Sequence, residues 1–164
     1  MSYVDLVLLR EIEESSIVIE SLVNKYAEIK RLFKEILANS VPNCTIYTGC
    51  GSSYYAALKG IDPLIYGLNG VKILAMPGSE VLFLLKTSKS YLRNCLLLLF
   101  SRSSKTGEIT SIIDHVKQSS SKTIFKTIGF TCNEESYLVR NADYSIISKE
   151  CCEKGYYMTK SFIA

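Results

Sequence analysis

Apolar residues recur at alternating spacings of three and four from Ile19 through Leu22, Tyr26, Ile29, Phe33 and Ile36. One stripe at that period predicts helix over residues 3–39, with Ser15-Ser16 marking a break or a new start. The stripe is too short for a coiled coil; it fits core packing and packing on a second subunit equally well. After Pro42 the pattern changes. Short β-prone runs at Cys44–Thr48, Val71–Ala75, Cys95–Phe100, Thr123–Gly129 and Asp143–Ile147 alternate with helical segments near Ser53–Tyr66, Ser79–Leu85, Gly107–Ser119 and Glu134–Arg140. Strands alternating with helices predict an α/β fold with an open parallel sheet covered on both faces. Leu96–Phe100 is apolar at every position, as a central strand buried on both sides requires. Ligands of such sheets bind at the carboxyl ends of the strands, so chemistry is sought there.

Length and composition narrow the picture. The 164 residues fit one domain, read here as a helical segment 1–39 and an α/β core 43–164 with no internal repeat or low-complexity tract. The last residues, Met158 to Ala164, read as the first turns of a helix, so the core is expected to be cut short there. With 48% hydrophobic and 21% charged residues the chain can bury a core. A net charge of +3 and no run of five basic residues predict no nucleic-acid partner. The most apolar stretch, Leu82 to Phe100, is broken by Lys86, Lys89 and Arg93, so no membrane span is expected. No secretory signal is visible, and a cytoplasmic protein is expected. The six cysteines form no C-x-x-C pair and His115 is the only histidine, which predicts no metal site. The thiols are expected to be reduced, buried small groups, with adjacent Cys151-Cys152 as a redox-active alternative.

Two strand-to-helix turns carry the chemical signal. The first is Thr48-Gly49-Cys50-Gly51-Ser52-Ser53. Its glycines permit a sharp turn and close backbone approach, and its serines enter a helix whose unpaired N–H groups favour an anion. Tyr54 stands where a dinucleotide fingerprint needs its third glycine, and the ending of a P-loop is missing. Plain N-capping by Ser52 explains the same residues. The second turn is Ser101-Arg102-Ser103-Ser104-Lys105-Thr106, after the most apolar strand. Ser101, Ser103 and Thr106 can each donate to a phosphate oxygen, and Arg102 and Lys105 add positive charge. A polar turn with a capping residue is the alternative.

These residues resemble a known family, the sugar isomerase (SIS) domains. Gly-Cys-Gly-Ser-Ser-Tyr (49–54) is similar to the C-G-T-S-Y turn of the isomerase part of glucosamine-6-phosphate synthase. Residues 101–106 resemble the S-x-S-G-x-T phosphate loop. Residues 153–162 resemble the E-x-x-x-x-x-T-K-x-F segment that opens a helix. FTCNEES (130–136) resembles the corresponding stretch of agaS-type ketose/aldose isomerases and amino-sugar phosphate deaminases. Glu11-Ile12-Glu13-Glu14 resembles the family's E-I-x-E segment, with Ser15-Ser16 in place of its Gln-Pro. The resemblance implies a three-layer α/β/α domain with a five-stranded parallel sheet behind a long N-terminal helix. It implies that Ser101, Ser103, Thr106 and Ser53 hold the phosphate of a sugar. Cys50, Gly51, Ser52 and Lys160 would line the sugar side, with no metal or organic cofactor. Two departures stand out. Ser104 replaces the phosphate-loop glycine, and only the first of the two SIS domains found in catalytic members is present. The catalytic base therefore stays unassigned; Glu153 and Glu150 are candidates by location, and His115 one for ring opening. The implied activity is aldose–ketose isomerisation or deamination of a sugar phosphate, as a homodimer or paired with a second SIS domain. The alternatives are a non-catalytic sensing or dimerisation module and an inactive remnant of a two-domain enzyme.

Overall fold

A computed structural model describes residues 3–38, 40–65, 71–118, 124–155 and 158–163. Helices α1 (Tyr3–Glu13) and α2 (Ser15–Leu37) precede the α/β core. The core then runs β1 (Cys44–Gly49), α3 (Ser52–Ile65), β2 (Lys72–Pro77), α4 (Gly78–Thr87), β3 (Cys95–Phe100) and α5 (Gly107–Gln118). It continues with β4 (Lys126–Thr131), α6 (Tyr137–Asn141), β5 (Tyr144–Ile147) and a short α7 (Lys160–Ile163). All five strands are parallel, in the order β2-β1-β3-β4-β5. This is the expected fold.

Element ends differ where pairing outweighs local pattern. β4 was expected from Thr123, which lies outside the described residues, as do the expected helix ends Tyr66 and Ser119. Pairing with β3 as far as Phe130, and of Thr131 with Ile147 of β5, instead carries β4 on to Thr131. α6 starts later than its pattern, at Tyr137, because the Ser136 hydroxyl accepts the Val139 N–H at 3.3 Å and caps it there.

Strand alternation divides the core into two layers. Cys95, Leu97 and Leu99 of β3 pack with Val81 of α4 and Ile109 and Ile112 of α5. Leu96 and Leu98 face the opposite way, onto Ile128 of β4 and Leu32, Phe33 and Ile36 of α2. Each such leucine contributes about 1.5–3 kcal/mol by its burial. The expected α2 stripe is rotated. Val18 and Ile36 are buried, with Leu22 and Phe33 packed beside them, whereas Ile19 and Tyr26 face outward at 48% and 61% exposure. Tertiary packing selected one of two overlapping apolar rows.

The thiol expectation is corrected. Cys44 and Cys95 are bridged, as are Cys132 and Cys152, leaving Cys50 and Cys151 free. Parallel pairing sets Cys44 directly opposite Cys95, with Cα atoms 4.7 Å apart, a proximity that a separation of 51 residues conceals. Among the described residues no cluster of His, Cys, Asp and Glu fits a metal ion. No helix there is long and apolar enough to cross a membrane.

Candidate functional site

β1 and β3 are neighbours, so the turns that follow them stand side by side at the carboxyl edge of the sheet. A cavity of about 370 Å³ opens there and runs down one sheet face between α2 and α3. Ser53, Ser101, Arg102, Thr131, Ser148 and Ser161 line its crest.

The first turn is shaped by backbone contact. A Cβ on Gly49 would sit 2.8 Å from the Ser53 carbonyl carbon, so the start of α3 packs directly on this glycine. Gly51 takes a left-handed conformation, φ +55°, which delivers Ser52 and Ser53 to the helix. Ser53 lines the cavity, but its neighbours in the turn do not. Ser52 bonds to the Met158 sulfur. The Cys50 side chain turns toward Gly78, and its thiol is held above the ordinary value by burial and by the Glu108 carboxylate, against a smaller opposite effect of the Gly78 N–H.

The second turn is pinned by side chains. Ser104 occupies the place of the family's glycine and has the conformation a glycine would take, φ +53°. Its hydroxyl donates to Thr131 Oγ1 at 3.1 Å, and Thr131 in turn donates to the Arg102 carbonyl at 2.9 Å. The Ser104 side chain is thus drawn toward β4, not into the cavity. Its own N–H donates to the Ser101 hydroxyl at 3.1 Å. Ser101 and Arg102 face the cavity; Ser103 and Thr106 are half-buried on the same loop but off the cavity wall. The Ser103 hydroxyl accepts the Lys105 N–H at 3.4 Å, and the Thr106 carbonyl accepts the Thr110 N–H as α5 begins. The first N–H groups of α5 lack intrahelical partners and present positive charge at the loop.

The segment after β5 closes the crevice through carboxylates. Glu153 has no exposed side-chain surface and accepts from Arg102 Nη1 at 2.9 Å, from the Ser161 hydroxyl at 2.6 Å, from the Thr159 hydroxyl at 3.0 Å and from both backbone N–H groups of Thr159 and Ser161. Burial pushes its carboxyl up, but the Ser161, Thr159 and Arg102 bonds outweigh that and hold it below the ordinary value. A carboxylate so engaged holds the chain in place; it is not set up to take a proton from a sugar carbon. Glu11 accepts the N–H groups of Lys154 and Gly155, and Glu14 binds Lys160 Nζ at 2.6 Å. Lys160 is therefore committed to Glu14, the residue before α2, and stands off the cavity wall. The spacing of Glu11 and Glu14 puts both on one side of the N-terminal helices, facing this segment.

Two further candidates lie elsewhere. Glu150 pairs with Ser148 and, at 3.9 Å, with Lys25. His115 lines a separate hollow beside Lys126 and Asp143, at the amino ends of β4 and β5, the opposite edge of the sheet. α5 starts at the crevice, and eight residues of rise carry His115 about 12 Å away from it.

Sequence pattern did not single out Thr131, Ser148 or Ser161 as wall residues. It also missed three rings. Tyr47, Phe100 and Phe130 stack side by side across β1, β3 and β4, with centroids 5.8 and 4.5 Å apart. The signal was available, since all three sit within the last three residues of their strands.

A doubly wound parallel α/β/α domain with its ligand crevice at the strand carboxyl ends is the class that this fold and site define. Within that class its fold is of the SIS type. It shares its fold with the tagatose-6-phosphate ketose/aldose isomerase from Escherichia coli at a TM-score of 0.71 and 25% identity, over 93% of this chain and 43% of that one. Glucosamine-6-phosphate deaminase from Thermotoga maritima matches at 0.60 and 30%, over 88% of this chain and 44% of that one. The C-terminal domain of glucosamine-fructose-6-phosphate aminotransferase from Francisella tularensis shares the fold at 0.64 and 21%, over 79% and 34%. The chain thus spans less than half the length of these proteins. No family model and no curated protein matches it.

Proposed function

We propose that this domain binds a sugar phosphate in the crevice, as the binding half of an aldose–ketose isomerase or deaminase. Convergence carries the proposal: Ser53 from one turn and Ser101 and Arg102 from the next line one cavity beside the N-terminus of α5. In the proposed pose the phosphate rests on the 101–106 loop. It takes hydrogen bonds from Ser101 and Ser53, with Arg102 supplying charge, while Ser103 and Thr106, off the cavity wall, shape the loop. Cys50, Gly51, Ser52 and Lys160 act through the shape of the walls, since their side chains do not face the space.

No carboxylate or imidazole lies among the described residues of the cavity wall. Moving a proton between sugar carbons requires one. A second SIS domain, in a symmetry mate or another chain, is proposed to supply it. The outward face of α2, with Ile19, Val23 and Tyr26 exposed, is the surface offered for that pairing. The same observation favours a second reading, a non-catalytic sugar-phosphate sensor. Cytoplasmic residence stays part of the proposal, with the two cystines weighing against it.

Thermal unfolding tests the binding claim. Fructose 6-phosphate or glucose 6-phosphate at a hundredfold over Kd adds about 2.7 kcal/mol, a rise of roughly 5–10 °C, while the free hexoses add nothing. Equal shifts with fructose and its phosphate would contradict a phosphate-reading loop. Interconversion of the phosphates by the chain as a monomer would contradict the need for a second domain.

A further inference from the structure

The two cystines sit in opposite surroundings. Cys44–Cys95 lies at the amino ends of β1 and β3, with both residues buried, and the strands it joins are already paired from end to end. Cys132–Cys152 lies at the crevice. Cys132 follows β4 and lines the cavity wall, whereas Cys152, beyond β5, is exposed. A thiol reagent therefore reaches the second bridge and not the first. Cys151, next to the exposed half-cystine, is buried and donates to the Ser148 hydroxyl at 2.9 Å. Burial also raises its pKa, so it stays a thiol and leaves the bridge alone.

The exposed bridge ties down a segment with little structure of its own. Between Cys152 and Lys160 the described residues form neither helix nor strand. Glu153 gathers Thr159 and Ser161 within the segment, while Glu11 and Glu14 hold it to the N-terminal helices. On the sheet side, the described residues offer two ties to the loops after β3 and β4: the Cys132–Cys152 bond and the Arg102–Glu153 ion pair. The two ties are adjacent. Cys152 precedes Glu153, and the Cys132 N–H donates to the Arg102 carbonyl at 3.3 Å. Cutting the bond leaves one ion pair to hold the segment against the 101–106 loop, and Arg102 loses the fixed position of its acceptor. We infer that Cys132–Cys152 is a redox latch on the crevice: a dithiol reductant opens it, residues 152–161 loosen, and the sugar phosphate binds more weakly. The attacking thiolate forms a mixed disulfide with Cys152, and Cys132 leaves as a thiolate that takes a proton. The reductant's second thiol then releases Cys152. Two electrons and two protons pass to the cystine, and the reductant ends as a disulfide. The loosening stands on the bridge alone; the loss of affinity rests on the proposal that the crest holds the phosphate.

Dithiothreitol added to the folded full chain tests it, read by thiol counting, hydrogen exchange and calorimetric titration with fructose 6-phosphate and glucose 6-phosphate. The thiols, alkylated in denaturant after an acid quench, should rise from two, Cys50 and Cys151, to four. Amides of residues 152–161 should exchange at least tenfold faster, with those of β1 and β3 unchanged. Affinity should fall at least fivefold and return on reoxidation. Cys132→Ser combined with Cys152→Ser should show the reduced behaviour without reductant, and Cys44→Ser combined with Cys95→Ser should still respond to it. Should either pair fail to fold, reduction and reoxidation of the unsubstituted chain decide alone. A thiol count other than two before reduction and four after it overturns the inference, as does unchanged exchange in 152–161. Faster exchange with undiminished affinity overturns it as well. Faster exchange in a chain that binds neither phosphate in either state supports the hold of the bridge on the segment and overturns the phosphate site instead.

Discussion

The two turns at the crevice reach the same backbone conformation by different means. Gly51 after β1 and Ser104 after β3 both sit in the left-handed region, at φ +55° and +53°. Gly51 gets there freely: it is exposed, and a Cβ would meet nothing within 4 Å. Ser104 carries a side chain that disfavours the conformation by about 1–2 kcal/mol, and it is 3% exposed. Its N–H and hydroxyl are bound to Ser101 and Thr131, which offset the strain. A glycine turn depends on its own residues. A serine turn depends on a neighbouring strand and, through Arg102 and Glu153, on the segment after β5. The second turn is therefore the one that distant substitutions can loosen.

Glu153→Ala breaks that dependence most severely. It leaves Arg102 and four further donors without their acceptor, at a cost of about 3 kcal/mol, or roughly 6–12 °C in Tm. The same substitution at the first turn's periphery has no counterpart. A pH scan sharpens the contrast. The folded carboxyl lies below the ordinary 4.5. Its contribution is thus fully present above that value and is lost as pH falls through the folded pKa. Thermal unfolding from pH 6 to pH 3 should show a steeper fall for the wild type than for Glu153→Gln; parallel slopes would remove Glu153 from this role.

Thr131→Val comes next. The valine keeps the shape but removes the acceptor of Ser104 and the donor to the Arg102 carbonyl. A loss of about 1–2 kcal/mol by denaturant titration is expected, with weaker hexose phosphate binding by calorimetry. Unchanged affinity would mean that the loop keeps its shape without β4. Gly51→Ala is smaller, about 1 kcal/mol, because the cost is conformational and no atom is struck. The smallest effect belongs to Ser104→Gly. Relief of strain and loss of the Thr131 bond oppose each other, leaving about 0.5 kcal/mol of either sign. A loss above about 1.5 kcal/mol would show that the serine's hydrogen bonds, not its backbone, dominate the turn.

Ser101 and Ser53 were each legible as part of one region, because a strand followed by hydroxyls and a helix start is a local pattern; Glu153 stood out only through the family segment it opens. The partners that fix them were not legible. Thr131 reads as one more strand threonine until β4 pairs with β3, and Arg102 reads as a loop cation until Glu153 arrives from 51 residues away. Lys160 carried a family motif, yet its ammonium belongs to Glu14. His115 looked available because helix periodicity says nothing about which end of the sheet a residue reaches.

The sequence alone determined the class of fold, the five strands and the two turns, since period, apolar runs and glycine placement act over a few residues. Only the tertiary structure decided which row of α2 is buried, which cysteines meet, and that three aromatic rings share a cavity wall with Ser101 and Arg102. Those depend on strand order and register, which bring together residues that no local pattern connects.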